Sequence, residues 1–259
     1  MVGQGLANII GNTITGGGPA VGGGGATFEN LYSCEFNGID MYIDCGSYTG
    51  FDSLTTASIS CWFYTDSSGN NYLCSQWGTT TGEQSFALYV KPSSNQVDVY
   101  FSTNVSYRSN SIPINTGQWH HIVATFDGSN TNAKERVKVY LDGVQYVQSV
   151  WSGPTGTKAG VTSSFFMGLR GGFTFNGLEG ELDEVSLWTV ELSQSDVTAI
   201  YNSGTPTDLS SSGISGLINW WRNGDPTGTA AYPTIVDQVG SNNGTMTNMT
   251  DTQIVTSVP

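Results

Sequence analysis

The segment LEGELDEV places three acids, Glu179, Glu181 and Asp183, at every second position. Alternate side chains of an extended chain share one face, so these three would line one side of a strand. Glycoside hydrolysis is the chemistry to consider, since it needs two carboxylates held at a defined separation across a sugar. The two histidines, His120 and His121, are adjacent. Neighbouring strand residues point to opposite faces, so this pair can neither chelate one metal nor act together on one substrate. Serine is too frequent for any single one to mark a nucleophile. No catalytic residue is predicted.

The four cysteines are Cys34, Cys45, Cys61 and Cys74. None forms a CxxC pair and no histidine lies within ligand spacing, so no zinc site is expected. Cys61 sits inside an apolar strand pattern and reads as a buried free thiol. Reduced thiols are expected, with a Cys34–Cys45 bridge left open. Saccharide binding would need an aromatic platform beside amides and carboxylates. Trp77, Tyr107 and Trp151 lie at turn-like positions and are the candidates for it. The sequons at Asn104, Asn243 and Asn248 are expected by chance in a chain so rich in Asn and Thr.

Any such site must be positioned by short strands. Of the 259 residues only 11% are charged, and Gly, Ser, Thr and Asn dominate over helix formers. Asp and Glu number 21 against 8 Lys and Arg, a net charge of −13 that repels phosphate backbones. Nucleic acid is therefore not an expected partner. No apolar run approaches the roughly 20 residues that span a membrane, so no membrane insertion is expected. The opening MVGQGLANIIGNTITGGGPAVGGGG lacks a basic n-region and a continuous apolar stretch, so export by the ordinary route is not expected.

ATFENLYSCEFNGIDMYIDCG reads as two strands joined by an Asn37-Gly38 hairpin turn. TTASISCWFYT puts Ile59, Cys61 and Phe63 on one face and Trp62 and Tyr64 on the other, so both faces should be covered. SFALYVKP and QVDVYFS form a further pair around Ser93, Ser94 and Asn95. A meander follows: Trp119 to Phe126, a polar loop from Gly128, then Arg136 to Leu141. A turn at Asp142-Gly143 leads to a third strand, Val144 to Val150. One helix is predicted in ELSQSDVTAIYNSG, capped by Ser193, with Asp196 in its first turn and Gly204 at its end.

FNGIDMYIDCG, ASISCWFYT, GQWHHIVATFDG, VKVYLDGVQ and GLEGELDEVSLWTVELSQSDVTAIYNSG occur in an order that resembles the laminin-G-like group of the concanavalin A-like lectin/glucanase superfamily. The resemblance implies an all-β fold, a two-sheet antiparallel jelly-roll sandwich with one short helix. Related glucanases carry E-x-D-x-x-E or E-x-D-x-E. Here the order is E-x-E-x-D, with Val185 where a closing acid would stand, so the resemblance does not imply an enzyme. It does imply a calcium site, with Asp40 in FNGID and Asp183 in the D-E-V strand at positions commonly acidic in the group. The tail GLINWWRNGDPTGTAAYPTIVDQVGSNNGTMTN looks like the opening of such domains. Residues 217–249 are therefore read as completing the same sandwich in circularly permuted order, rather than as a truncated second repeat.

The WWRNGD…GTMTNM ending, with a glycine-rich start, also resembles structural proteins of marine tailed phages. The expected organisation is a glycine-rich assembly arm over residues 1–27 and a single sandwich over 28–259. Val2, Leu6, Ile9, Ile10 and Ile14 would anchor the arm. The leading functional expectation is a non-enzymatic virion protein, a capsid decoration or fibre-like component on the outer surface, assembled in the host cytoplasm. Its partners would be capsid or other virion proteins, identical copies and a host-surface glycan. The alternative is a secreted or surface bacterial carbohydrate-binding lectin-like module; a glycoside hydrolase is the third.

Overall fold

A computed structural model describes residues 28–79, 83–101, 106–109, 111–146, 149–150, 160–172 and 177–259. Residues 1–27, and with them Val2, Leu6, Ile9, Ile10 and Ile14, lie outside the described residues, as does Trp151.

Two antiparallel sheets form the sandwich that the motifs predict. Sheet A runs β10 (Val144–Tyr146), β9 (Val137–Leu141), β8 (Trp119–Asp127), β3 (Thr56–Thr65), β13 (Glu179–Trp188), β1 (Ser33–Asn37) and β17 (Ile254–Val255). The long β13 shares one edge between β1 and β14 (Leu217–Trp221). Sheet B runs β11 (Ser149–Val150), β7 (Ser106–Ser109), β6 (Gln96–Phe101), β5 (Gln84–Lys91), β4 (Asn71–Trp77), β12 (Ser164–Met167), β2 (Tyr42–Ser47), β16 (Gly244–Thr247) and β15 (Thr234–Ile235). The strands after residue 217 thus enter both sheets. Among the described residues no helix is long and apolar enough to cross a membrane.

The period-two pattern explains the core. Ile59, Cys61 and Phe63 of β3 are fully buried between the sheets. Opposite them, from sheet B, come Leu73, Phe86, Leu88, Val97, Val99 and Phe165. Phe165 stacks on Trp221 of β14 at 5.5 Å, and Phe101 on Phe126 at 5.1 Å. Each fully buried apolar side chain of this size contributes about 1.5–3 kcal/mol. Trp62, on the outer face of β3, is covered by α1 (Gln194–Tyr201) through Tyr201 at 5.7 Å. The helix starts as its sequence dictates: Ser193 accepts from the Asp196 N–H, and the Asp196 carboxylate accepts in return from the Ser193 N–H.

Two expectations about connections are corrected. Asn37-Gly38 is not a hairpin, because β1 belongs to sheet A and β2 to sheet B. The Asn37 carboxamide oxygen instead accepts from the N–H groups of Ile39, Asp40 and Met41, turning the chain from one sheet to the other. The strand Val144 to Val150 is also divided. Val144–Tyr146 closes the meander on β9, while Ser149–Val150 pairs with β7 across the sandwich. All four cysteines are free and buried, Cys34 in sheet A and Cys45 in sheet B. Burial pushes the Cys34, Cys45 and Cys74 thiols well above the ordinary range, which keeps them as unreactive thiols.

Candidate functional site

The consecutive phenylalanines of SFFM decide where an aromatic surface appears. On a strand one must face the core and the other the outside. Phe165 is fully buried, and Phe166 stands half-buried on the outer face of sheet B. On the adjacent β2, Tyr42 faces the same way, because Ile43 and Cys45 take the core positions. The Tyr42 ring meets the Phe166 ring edge-on at 5.6 Å and 79°. These two rings belong to a groove of about 280 Å³ whose other lining residues are Asp40, Leu169, Gly171, Gly172 and Asn248.

One bank of the groove is polar. Asp40 follows the Asn37 turn, and its Oδ1 accepts from the Asn37 amide at 3.0 Å. Asn248, just past β16, adopts φ 56° and donates its side-chain amide to the Asp40 carbonyl at 2.9 Å. The other bank is the chain that leaves β12. Gly168 donates to the Leu73 carbonyl at 2.8 Å, the Ser75 hydroxyl donates to the Leu169 carbonyl at 2.9 Å, and the Gly171 N–H donates to Ser75 Oγ at 3.1 Å. Arg170 lies over the Trp77 ring at 4.5 Å and the Tyr72 ring at 5.8 Å, a cation–π clamp on the outer face of β4. Gly171 must be glycine, since a Cβ there would sit 2.0 Å from the Trp77 carbonyl oxygen and 2.7 Å from the Phe166 ring.

Of the sequence-predicted saccharide contacts, Trp77 and Tyr107 are not among the groove's lining residues, and Trp151 lies outside the described residues. Trp77 ends β4 rather than a turn and is 7% exposed, its ring occupied by Tyr100 at 5.4 Å and by Arg170. Tyr107 lies within β7, paired in register with Val99 and Val150, not at a turn. The sequence pattern does not single out the groove residues Phe166, Tyr42 and Asn248 as saccharide contacts. Phe-Phe in a strand was the available signal; nothing local marks Asn248.

The acids of LEGELDEV lie on the other sheet. Glu179 is exposed and Glu181 half-buried, while Asp183 is fully buried. Asp183 accepts from the Asn30 side chain at 2.9 Å and from the Glu184 N–H at 2.8 Å. A bulge interrupts the β13–β3 register here, with Glu184 at φ 49°. Glu184 turns to Arg222 at 3.0 Å and to the Trp220 indole N–H at 2.5 Å. Arg222 also donates to the Glu29 carbonyl, and its guanidinium covers the Phe28 ring at 4.3 Å. Asp225 accepts from the Leu31 N–H at 2.9 Å. The WWRNGD stretch is therefore spent inside the fold, fastening residues 28–31 to sheet A. Burial pushes the Glu184 carboxyl up to about 7 even against the pull of Arg222. Burial and the adjacent Glu184 raise Asp183 well above its ordinary range.

Asp40 and Asp183 are the positions expected to hold calcium. Asp40 lies beyond the end of β1, whereas Asp183 follows Leu182, which pairs with Cys34 near its start. The two carboxylates share no site. Among the described residues no three His, Cys, Asp or Glu side chains are grouped to hold a metal ion. The histidines part as predicted. His120 engages Asp142 at 2.7 Å, and His121 lies against Trp62 and Tyr201 on the opposite face.

Comparison with known proteins agrees with this architecture. The family model Laminin_G_3, of the concanavalin A-like lectin/glucanases superfamily, matches residues 37–198. Among solved structures, a Bacteroides ovatus protein described as a candidate carbohydrate-binding protein superposes with a TM-score of 0.61 at 19% identity. The match covers 86% of this chain but only 60% of the length of that protein. The heptameric SAP-like pentraxin of Limulus polyphemus matches with a TM-score of 0.51 at 16% identity, over 83% of this chain and 95% of the pentraxin. At these identities the likeness is one of fold. No curated protein matches the chain.

Proposed function

Because this chain belongs to the Laminin_G_3 family of the concanavalin A-like lectin/glucanases superfamily, we propose that it is a saccharide-binding, lectin-like module whose site is the groove on the outer face of sheet B. The observation that carries the reading is the half-buried Phe166 ring, set edge-on to Tyr42 beside the carboxylate of Asp40 and the carboxamide of Asn248. A sugar ring presents an apolar C–H face and a rim of hydroxyls. It needs an aromatic surface for the first and fixed polar groups for the second. The volume falls just below the ~300 Å³ at which ligand pockets commonly begin, so the groove suits a terminal sugar unit more than a buried chain.

The reading is of binding, not of catalysis. Glu179, Glu181 and Asp183 stand on sheet A, none of them lines the groove, and Asp183 is sealed from a substrate. The fold likeness to the Bacteroides protein supports the same direction. The virion reading rested on residues 1–27, which lie outside the described residues, and on WWRNGD and GTMTNM, which here fasten the fold and build the Asn248 bank. The test is a glycan array followed by calorimetric titration of the full chain and of Phe166→Ala. Binding that is lost in the variant, with its unfolding still cooperative, supports the site. A wild-type chain that binds no glycan overturns it. Repeating the titration in EDTA reads whether a divalent cation contributes, as the resemblance implied.

A further inference from the structure

We infer that the groove selects neutral, hydroxyl-rich saccharides over sugars that carry a carboxylate or sulfate; this rests on the saccharide-binding reading above. Asn248 has two kinds of group to offer, and one of its two amide N–H donors is spent on the Asp40 carbonyl at 2.9 Å. Its carboxamide oxygen, an acceptor, is left for a ligand. Asp40 accepts from Asn37 through Oδ1 and leaves Oδ2, again an acceptor. On β2, Asp44 follows Tyr42 on the same strand face and commits Oδ1 to the Gly46 N–H at 2.8 Å, adding a second negative charge beside the groove.

A ligand group facing the Asp40 carboxylate must therefore donate. Sugar hydroxyls donate and accept, so they satisfy it. A carboxylate or sulfate brings acceptors alone and a charge of the same sign, which leaves the protein groups unpaired and repelled. The cation closest in sequence, Arg170, is not among the groove's lining residues; its guanidinium lies on the Trp77 and Tyr72 rings. The net charge of −13 acts in the same direction at longer range.

The experiment titrates the full chain with the neutral glycan that gives the strongest array signal and with its sialylated and sulfated counterparts. The wild-type chain, Asp40→Asn and Phe166→Ala are compared. The neutral glycan is expected to bind at least about tenfold more tightly than its anionic counterparts. Asp40→Asn, which replaces a partly exposed carboxylate by an isosteric amide with donors, should shrink that ratio severalfold. Phe166→Ala should remove binding of every probe; where it fails to fold, Asn248→Gly serves as the second groove variant. Equal or tighter binding of the anionic counterparts by the wild-type chain overturns the inference and leaves the saccharide reading standing. A ratio unchanged in Asp40→Asn also overturns it. Absence of binding to any glycan overturns both.

Discussion

Asn248 donates its side-chain amide to the carbonyl of Asp40 across 2.9 Å, joining residues 208 positions apart into one bank of the groove. The backbone of Asn248 is left-handed, at φ 56°, a conformation asparagine tolerates better than most residues. Asn248→Ala loses both the bridge and that tolerance. It is expected to lower unfolding stability by about 1–2 kcal/mol, from a net hydrogen bond and backbone strain. Asn248→Gly removes the bridge without the strain, so it should recover part of the stability and none of the glycan affinity. Urea unfolding and titration of both variants check this; equal affinity in Asn248→Gly and wild type would show that the bridge does not shape the site.

Gly171 makes the opposite bank. A methyl group there would lie 2.0 Å from the Trp77 carbonyl oxygen, which is backbone and cannot swing away. Gly171→Ala must therefore push the chain between β12 and β13 off the face of β4, at a cost of about 1–3 kcal/mol typical of overpacking. Glycan affinity should fall with it. Gly46→Ala is the control, because Gly46 has φ 72° but nothing within 4 Å of a Cβ, so it carries backbone strain without a clash. Thermal unfolding of the two variants should place Gly171→Ala clearly below Gly46→Ala, and the reverse order would contradict the packing described.

What could be read in advance follows from the range of the interactions. The strands of β3, β5, β6, β8 and β9 and the Ser193 cap are set by alternation and by neighbours within a few residues, and these were legible. Which sheet a strand joins is set by partners far along the chain. For that reason Asn37-Gly38 resembled a hairpin although β1 and β2 lie in different sheets, and Val144 to Val150 resembled one strand although its halves pair on opposite sheets. The groove is the extreme case: Asp40, Phe166, Gly171 and Asn248 meet only after β2 pairs with both β12 and β16. Trp77 was the right type of residue on the right face, but a guanidinium already covers its ring.

Glu184 and His121 line, with Trp62, a small cavity of about 10 Å³ under α1, and both make stability depend on pH. Glu184 titrates at about 7 in the folded chain against an ordinary 4.5. Between these values the folded chain keeps a proton that the unfolded chain releases. Stability therefore falls as pH rises through this window, by up to about 1.4 kcal/mol per pH unit. Burial lowers His121 to about 3 against an ordinary 6.5. There the unfolded chain takes up a proton that the folded chain refuses, so stability falls as pH drops from 6.5 toward 3. The two slopes oppose each other between pH 4.5 and 6.5. Glu184→Gln removes one of them: its stability relative to wild type should improve steadily from pH 4.5 to 7 and level off above. The offset at low pH is set by what Arg222 loses when its partner becomes neutral, and only the slope tests the argument. Asp183 and Asp225, both raised chiefly by burial, stay in place in the variant and add a residual slope of the same sign as Glu184. His121→Phe should show the complementary change, becoming more stable relative to wild type as pH falls below 6.5. Urea unfolding of the three proteins from pH 4.5 to 7.5 measures both, and parallel curves for Glu184→Gln and wild type would mean that Glu184 is ionised throughout.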